Sequence, residues 1–353
     1  MAHKQVKLAQ NETGLASIIV TLIIMLIISL IVVGFARLSR REQRQALDDQ
    51  LSTQAFYAAE SGINDAIQYI KNNTLTQDYT ANCADFITLL KSSTGNSNVD
   101  TLDNSTGVKY TCLLVNRAPG NLVYSNVTPD RSIVVPVKPQ SGTVDSVTIS
   151  WQDHSGGNTF CPLGSPAQFT TANPLSSWPC STGMVRADIL PGTGGDRGTL
   201  NSNTMTAFFY PTSVNTKNPL NFNPADSGAI AGGGCTTVNN PYCSVTVTFG
   251  SAQSQVNLRL KSIYLSTDIT VTAKSGGTAV NLVGAQATVD ATGKANDILR
   301  RIQVRVPLGG SGPFPEFAVQ SGDSICKRLQ IDPGTGAAGT DAVGGAVAAC
   351  QIP

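Results

Sequence analysis

Residues 15–36, "LASIIVTLIIMLIISLIVVGFA", run for 22 positions without a charge. At about 1.5 Å per residue a helix of that length reaches about 33 Å, enough to cross the hydrocarbon core of a bilayer. A buried helix of a soluble protein is a poor alternative for so long an apolar run. A secretory signal has an apolar region of about 7 to 15 residues with small residues at its cleavage site, whereas this run is longer and Arg37, Arg40 and Arg41 follow it. The segment is therefore expected to stay in the working protein.

The apolar pattern continues past the last of these residues. Leu47, Leu51, Ala55, Ala59, Ile63 and Ile67 recur every four positions, with Ala58, Ala66 and Ile70 alongside and charged or amide residues on the other faces. The spacing predicts one helix from residue 15 to about residue 71, on the order of 85 Å long, stopped by Asn72 and Asn73. Such a helix needs two environments: lipid or other helices for its first half, and a globular body for one face of its second.

Charged residues make up 13 % of the 353, and the net charge is +1. No global field would draw nucleic acid, and no clear nucleic-acid site is present. The eight cysteines, Cys83, Cys112, Cys161, Cys180, Cys235, Cys243, Cys326 and Cys350, include no C-x-x-C pair, and the chain has two histidines. Disulfides in an oxidising compartment are expected, with no metal site and no cofactor. Short separations favour pairing neighbours (83 with 112, 161 with 180, 235 with 243, 326 with 350), although spacing leaves the connectivity open. Orientation is contested. Arg37, Arg40, Arg41 and Arg44 after the apolar run, against Lys4 and Lys7 before it, put the body in the cytoplasm by the positive-inside rule. The cysteines and the neutral, strand-rich body put it outside, and they weigh more.

Beyond the helix the chain reads as short strands between turns, at 108–116, 132–138, 143–151, 184–190, 204–210, 244–249, 255–264, 268–274, 279–290, 298–307 and 316–320. In "SVTVTFG" and "RIQVRV" the alternation sets Val245, Val247 and Phe249, then Ile302, Val304 and Val306, on single faces. Antiparallel pairing is expected, since no helical crossovers separate the strands. Segments 72–106 and 155–181, together with 192–198 and 232–234, read as loops, and a linker is placed near 119–130. The fold class is α+β: a long N-terminal transmembrane and amphipathic helix followed by a large antiparallel β-rich region.

Catalytic signals are thin. Asp153-His154 lacks a G-x-S-x-G elbow, and "GTGGDRG" at 192–198 lacks the phosphate-loop spacing. "NSNVDTLDN" from Asn96 alternates oxygen-bearing residues as a calcium loop does, without Gly at its sixth position or Glu at its twelfth. Trp151 ends an alternating strand and is assigned to the core, while Trp178 is a candidate for a binding surface. No residue is put forward as catalytic.

The stretch from Thr13 through Ile67 resembles type IV prepilins, in particular PilX-type minor pilins. A short basic leader ending at Gly14, the apolar run, and "QAFYAAESGINDAI", similar to an FYAAEAG signature, carry the resemblance; "RRIQVRVPL" at 300–308 looks like a late strand of related minor pilins. The resemblance implies a leader at 1–14, cut between Gly14 and Leu15 by a prepilin peptidase. It implies a transmembrane part of the helix at 15–36, its amphipathic continuation at 37–71, a helix-packed region with linker at 72–130 and an exposed β-rich domain at 131–353. Ile19, Leu47, Leu51, Ala55, Glu60 and Ile63 would make helix contacts between subunits. Expected partners are major and other minor pilins, the pilus assembly platform, membrane lipid before assembly, and a surface ligand of unknown kind. Ile19 departs from the family, since most such pilins carry at this fifth mature position a Glu that neutralises a neighbour's N-terminal amine. A subunit without it suits a tip better than a repeating internal position. The expected function is that of a non-catalytic minor pilin in a pilus or pseudopilus, held in the cytoplasmic membrane with its C-terminal body outside. The alternative is a permanently anchored extracellular binding protein unrelated to filaments; a secreted enzyme ranks third.

Overall fold

A computed structural model describes residues 13–156, 178, 180–192, 197–212, 218–236, 242–308, 312–315, 330–331 and 338–339. In chain order the elements are α1 (Thr13–Asn72), α2 (Cys83–Thr94), β1 (Thr101–Asp103), β2 (Val108–Asn116), β3 (Leu122–Val127), β4 (Arg131–Pro139), β5 (Val144–Asp153), β6 (Met184–Pro191), α3 (Arg197–Asn203), β7 (Met205–Thr212), β8 (Leu220–Asn221), β9 (Ala229–Gly234), β10 (Cys243–Gln253), β11 (Val256–Ile263), β12 (Thr267–Ser275), β13 (Thr278–Val280), β14 (Leu282–Val283), β15 (Gln286–Ala295), β16 (Ile298–Pro307) and β17 (Gly312–Pro315). The class is α+β.

None of the 18 prolines precedes Pro119, so nothing interrupts the hydrogen-bond ladder of α1, which runs for 60 residues, about 90 Å. Two compact units follow from the pattern of contacts. The first takes the residues up to Asn116 and then, after a long excursion of the chain, Thr288–Val306; the second takes Arg117–Ala287 and the residues from Pro307 on. A linear division of the sequence does not anticipate this return.

In the first unit the strands lie in the order β1-β2-β15-β16, with β2 and β15 antiparallel from Thr288 opposite Asn116 to Lys294 opposite Lys109. The second half of α1 seats on this sheet. The Cys83–Cys112 disulfide ties α2 to β2, and Phe86 of α2 meets Tyr69 and Tyr79 edge-on at 5.5 and 5.2 Å between ring centres.

The second unit is a sandwich of two sheets. One has the order β13-β12-β5-β10-β8 with β3 beside β12; the other has the order β14-β4-β11-β6-β7-β9 with β17 beside β4. Alternate residues along most of β5, β6, β11 and β12 point inward, as the period of two requires. Val147 and Ile149 of β5 and Val245 and Val247 of β10 share one buried cluster with Val135 of β4 and Leu258 and Leu260 of β11. Trp151 lies in the same core, its indole N–H donating to the Gly183 carbonyl at 3.0 Å.

Several expectations need correction. β8 pairs with β10, and β7 with β9, in parallel, so the sheets are antiparallel in the main rather than throughout. The segment 72–106 contains α2 and β1, 119–130 contains β3, and Gly232–Gly234 complete β9. The expected strand at 279–290 is divided among β13, β14 and β15, since Gly284 at φ +85° turns the chain where a side chain would be strained. The expected strand at 316–320 and most of the loop 155–181 lie outside the described residues.

Candidate functional site: the two faces of the N-terminal helix

Along the first half of α1 nothing covers the apolar side chains: the large ones between Ile18 and Phe35 are 49–72 % exposed. The two hydroxyls of this stretch bond back to the helix itself, Thr21 Oγ1 to the Ile18 carbonyl at 2.9 Å and Ser29 Oγ to the Met25 carbonyl at 2.8 Å. No polar group of these side chains therefore needs water, which suits a segment surrounded by lipid. The helix is long and apolar enough to cross a membrane. Arg37, Arg40, Arg41 and Arg44 come next, all exposed, at the i, i+3, i+4, i+7 spacing that puts them on one face.

The second half is held by small residues. Ala55, Ala58, Ala59 and Ala66 are wholly buried, and Gly62 is buried with them. Opposite lies Gly293 of β15, where an added Cβ would stand 2.0 Å from the Ala55 carbonyl oxygen and 2.4 Å from the Ala59 nitrogen. Backbone meets backbone there. One turn on, a Cβ at Gly62 would stand 2.9 Å from the Tyr110 ring, so the ring packs directly over the helix. Tyr110 Oη donates to Asp65 Oδ2 at 3.0 Å. Burial raises the Asp65 carboxyl above its usual range while that hydrogen bond works against the rise; burial and Asp65 together push the Tyr110 phenol well above its own. Ile63 and Ile70 complete the seat, each contributing roughly 1.5–3 kcal/mol on full burial. Arg300 Nε of β16 donates to Ser52 Oγ at 2.7 Å at the near end.

The sequence-chosen residues thus separate. Ala55 and Ile63 are buried against the chain's own sheet, and Leu51 packs at its margin, so these three serve the fold within one subunit. Ile19, Leu47 and Glu60 are exposed. Gly14 and Leu15 belong to the helical backbone of α1. Phe56 and Tyr57 were not chosen, because they fall off the four-residue stripe; they stand 47 % and 57 % exposed, edge to face with ring centres 6.0 Å apart. Two neighbouring aromatics off the apolar stripe of the helix's second half were the available signal.

A family model described as PilX N-terminal matches residues 13–64. Residues 13–64 are thus similar to a PilX-type pilin N-terminal region. The match ends within the helix, two residues after Gly62, where the seat meets Tyr110, and it supports a pilin related to type IV pili, a structural class that works by contact with other pilins. No curated protein and no solved structure matches the chain. The matched stretch thus includes the uncovered apolar half and the first part of the small-residue seat, from Ala55 to Ile63, with Phe56, Tyr57 and Glu60 exposed beside it.

The other sequence candidates take local roles. Cys235 joins Cys243 in a second disulfide, and Cys180 is disulfide-bonded as well; Cys161, Cys326 and Cys350 lie outside the described residues. Asp153 accepts from Ser155 at 2.5 Å while His154 Nδ1 lies 2.8 Å from Asp268 Oδ1, so the adjacent pair look to different partners. In the calcium-like stretch Asp100 pairs with Lys91 at 2.8 Å, and Asp103 accepts from Thr106 and Ser105, whose hydroxyls, Thr106's first, hold its carboxyl down to about 2. Among the described residues no group of three or more His, Cys, Asp or Glu is placed to hold a metal ion. Gly192 precedes undescribed residues and then α3, and Trp178 stacks on Tyr264 at 4.3 Å.

Proposed function

We propose that the protein is a non-enzymatic minor pilin, incorporated into a type IV pilus or related pseudopilus, with its β-rich body displayed outside the cell. One observation carries this reading: the PilX-type match coincides with a single helix that is uncovered and apolar in its first half and clamped to its own sheet in its second. A membrane anchor needs only the first property. A subunit that leaves the membrane for a filament also needs a rigid joint between helix and body, which the Ala/Gly seat supplies. The apolar half then passes from lipid to neighbouring helices without meeting water.

On this reading a prepilin peptidase cuts between Gly14 and Leu15, and the assembly platform lifts the mature subunit among major and other minor pilins. Ile19, Leu47 and Glu60, with Phe56 and Tyr57, form the contact surface. With Ile19 at the fifth mature position the subunit has no carboxylate for a neighbour's amine, which favours the tip, where the body would prime assembly and touch surfaces or other cells. The test is mass spectrometry of the N-terminus of protein taken from sheared cell-surface filaments. A start at Leu15 with a methylated amine is expected, and Gly14→Ala should abolish it. Protein beginning at Met1 or Ala2, recovered from membranes and never from filaments, would make the helix a permanent anchor and end the pilin reading.

A further inference from the structure

The four arginines that follow the apolar half of α1 are all exposed, and among the described residues none of them makes an ion pair or a side-chain hydrogen bond. At 3.6 residues per turn, Arg37, Arg40, Arg41 and Arg44 fall within an arc of about 100° of the helix surface. Glu42, the one anion between them, lies about 150° round from the middle of that arc. Arg37 and Arg41 are like-charged neighbours one turn apart, as are Arg40 and Arg44, an arrangement that destabilises a helix unless anions come to it. Four cations against one anion leave a local excess of one sign in a chain with only 13 % charged residues.

The apolar run sets the depth of this face. With residues 15–36 filling the hydrocarbon core, α1 carries Arg37 about 1.5 Å past Ala36 along its axis, Arg40 and Arg41 about 6 and 7.5 Å, and Arg44 about 12 Å. The headgroup layer on one side of a bilayer is about 5–7 Å deep. Side chains of a helix lean toward its N-terminus, which here is toward the bilayer, so the long side chain of Arg44 reaches back to the same layer. Asp48 shares this side of the helix, but it is short and about 18 Å past Ala36, outside that layer. At headgroup depth the anion on offer is phosphate, whose oxygens a planar guanidinium meets two at a time. Zwitterionic headgroups bring an ammonium with each phosphate; anionic ones do not, and a face with excess positive charge selects them.

We propose that this arginine face of α1 binds the headgroups of anionic phospholipids, which hold the chain at a fixed depth in the bilayer. The contact rests on the helix crossing a bilayer. It is indifferent to which leaflet meets the arginines and to whether the helix later leaves for a filament, so its failure and that of the pilin reading are separate results. Native mass spectrometry of the full chain in nanodiscs of phosphatidylcholine and phosphatidylglycerol tests it, through the ratio of the two lipids that stay bound on ejection. Retained lipid is expected to be richer in phosphatidylglycerol than the bulk by at least about fivefold, the factor that a single basic residue near an anionic surface is worth. Arg37→Gln, Arg40→Gln, Arg41→Gln and Arg44→Gln combined, which keep the helix propensity, should bring the ratio down to that of the bulk. Lysine at all four positions keeps the charge and should stay above the Gln variant, while Lys274→Gln, in β12 of the second unit, should change nothing. Raising the salt from about 0.05 M to about 0.5 M, which shortens the screening length about threefold, should cut the enrichment. A parent that retains the lipids in their bulk ratio, or a Gln variant as enriched as the parent, would overturn the proposal. No preference in the parent, together with loss of the Gln variant from filaments, would assign the face to acidic side chains of a neighbouring subunit instead.

Discussion

At the scale of single residues, the joint between helix and sheet turns on Gly293 and Gly62. A methyl group at Gly293 would meet backbone atoms of α1, which cannot swing aside as a side-chain tip can. Gly293→Ala should therefore cost roughly 1–3 kcal/mol or more, the usual range for overpacking, measured by chemical denaturation in detergent. Gly250→Ala, with nothing within 4 Å of the added carbon, is the matched control and should be near neutral. Asp65 makes the same joint sensitive to pH. Its carboxyl is raised in the folded protein, so the fold binds that proton more tightly than the unfolded chain does. Stability should accordingly fall as pH rises from the ordinary aspartate value through the raised one, and Asp65→Asn should flatten the profile there; an identical profile in the variant would remove Asp65 as the cause. The sequence showed the alanine and isoleucine stripe but not its partner. Periodicity reports which side chains seek cover, and Ala55 and Ile63 find theirs within the same chain, whereas the exposed Phe56 and Tyr57 break the period that drew attention to the stripe.

At the scale of elements, regular alternation made most of the sheet legible: β2 occupies 108–116 as expected, and β4, β5, β6, β7, β10, β11 and β12 lie within a few residues of their expected places. The elements that were missed lack such a signal. β9 reads "AIAGGG", and its glycines belong there because a Cβ at Gly233 would stand 2.4 Å from the Trp151 ring, so the strand is shaped by a neighbour distant in sequence. α2 begins at a cysteine, has an Asn at its N-cap that makes no side-chain capping bond, and sits in a stretch rich in polar residues. Its hold on β2 is covalent. Replacing both Cys83 and Cys112 by alanine should cost about 3.6 kcal/mol for a loop of this length, against about 2.6 for the shorter loop closed by Cys235 and Cys243, in the chain-entropy account. Hydrogen exchange should show the first loss as faster exchange over α2. Equal costs for the two bridges would indicate that native packing, rather than unfolded-state entropy, sets their value.

At the scale of the whole molecule, the apolar half of α1 contributes nothing to the fold of the body. Removing residues 1–36 should leave a protein that is monodisperse without detergent and unfolds at the parent's temperature; aggregation of the shortened chain would show that the body needs its helix. Ile19→Glu, which restores the carboxylate that the family pattern expects, should redistribute gold label from filament ends to the shaft, and label confined to the ends in both proteins would count against a tip role for Ile19. The interrupted path of the first unit has a further consequence, in the order of synthesis. α1 and β2 leave the ribosome early, but β15 and β16, which carry Gly293 and complete the seat, follow only after Arg117–Ala287 has been made. At about 5–20 residues per second that interval is on the order of ten seconds or more. During translation the helix can reach the bilayer before its own sheet exists to receive its second half, and β15 and β16 complete that seat only once Arg117–Ala287 has been made.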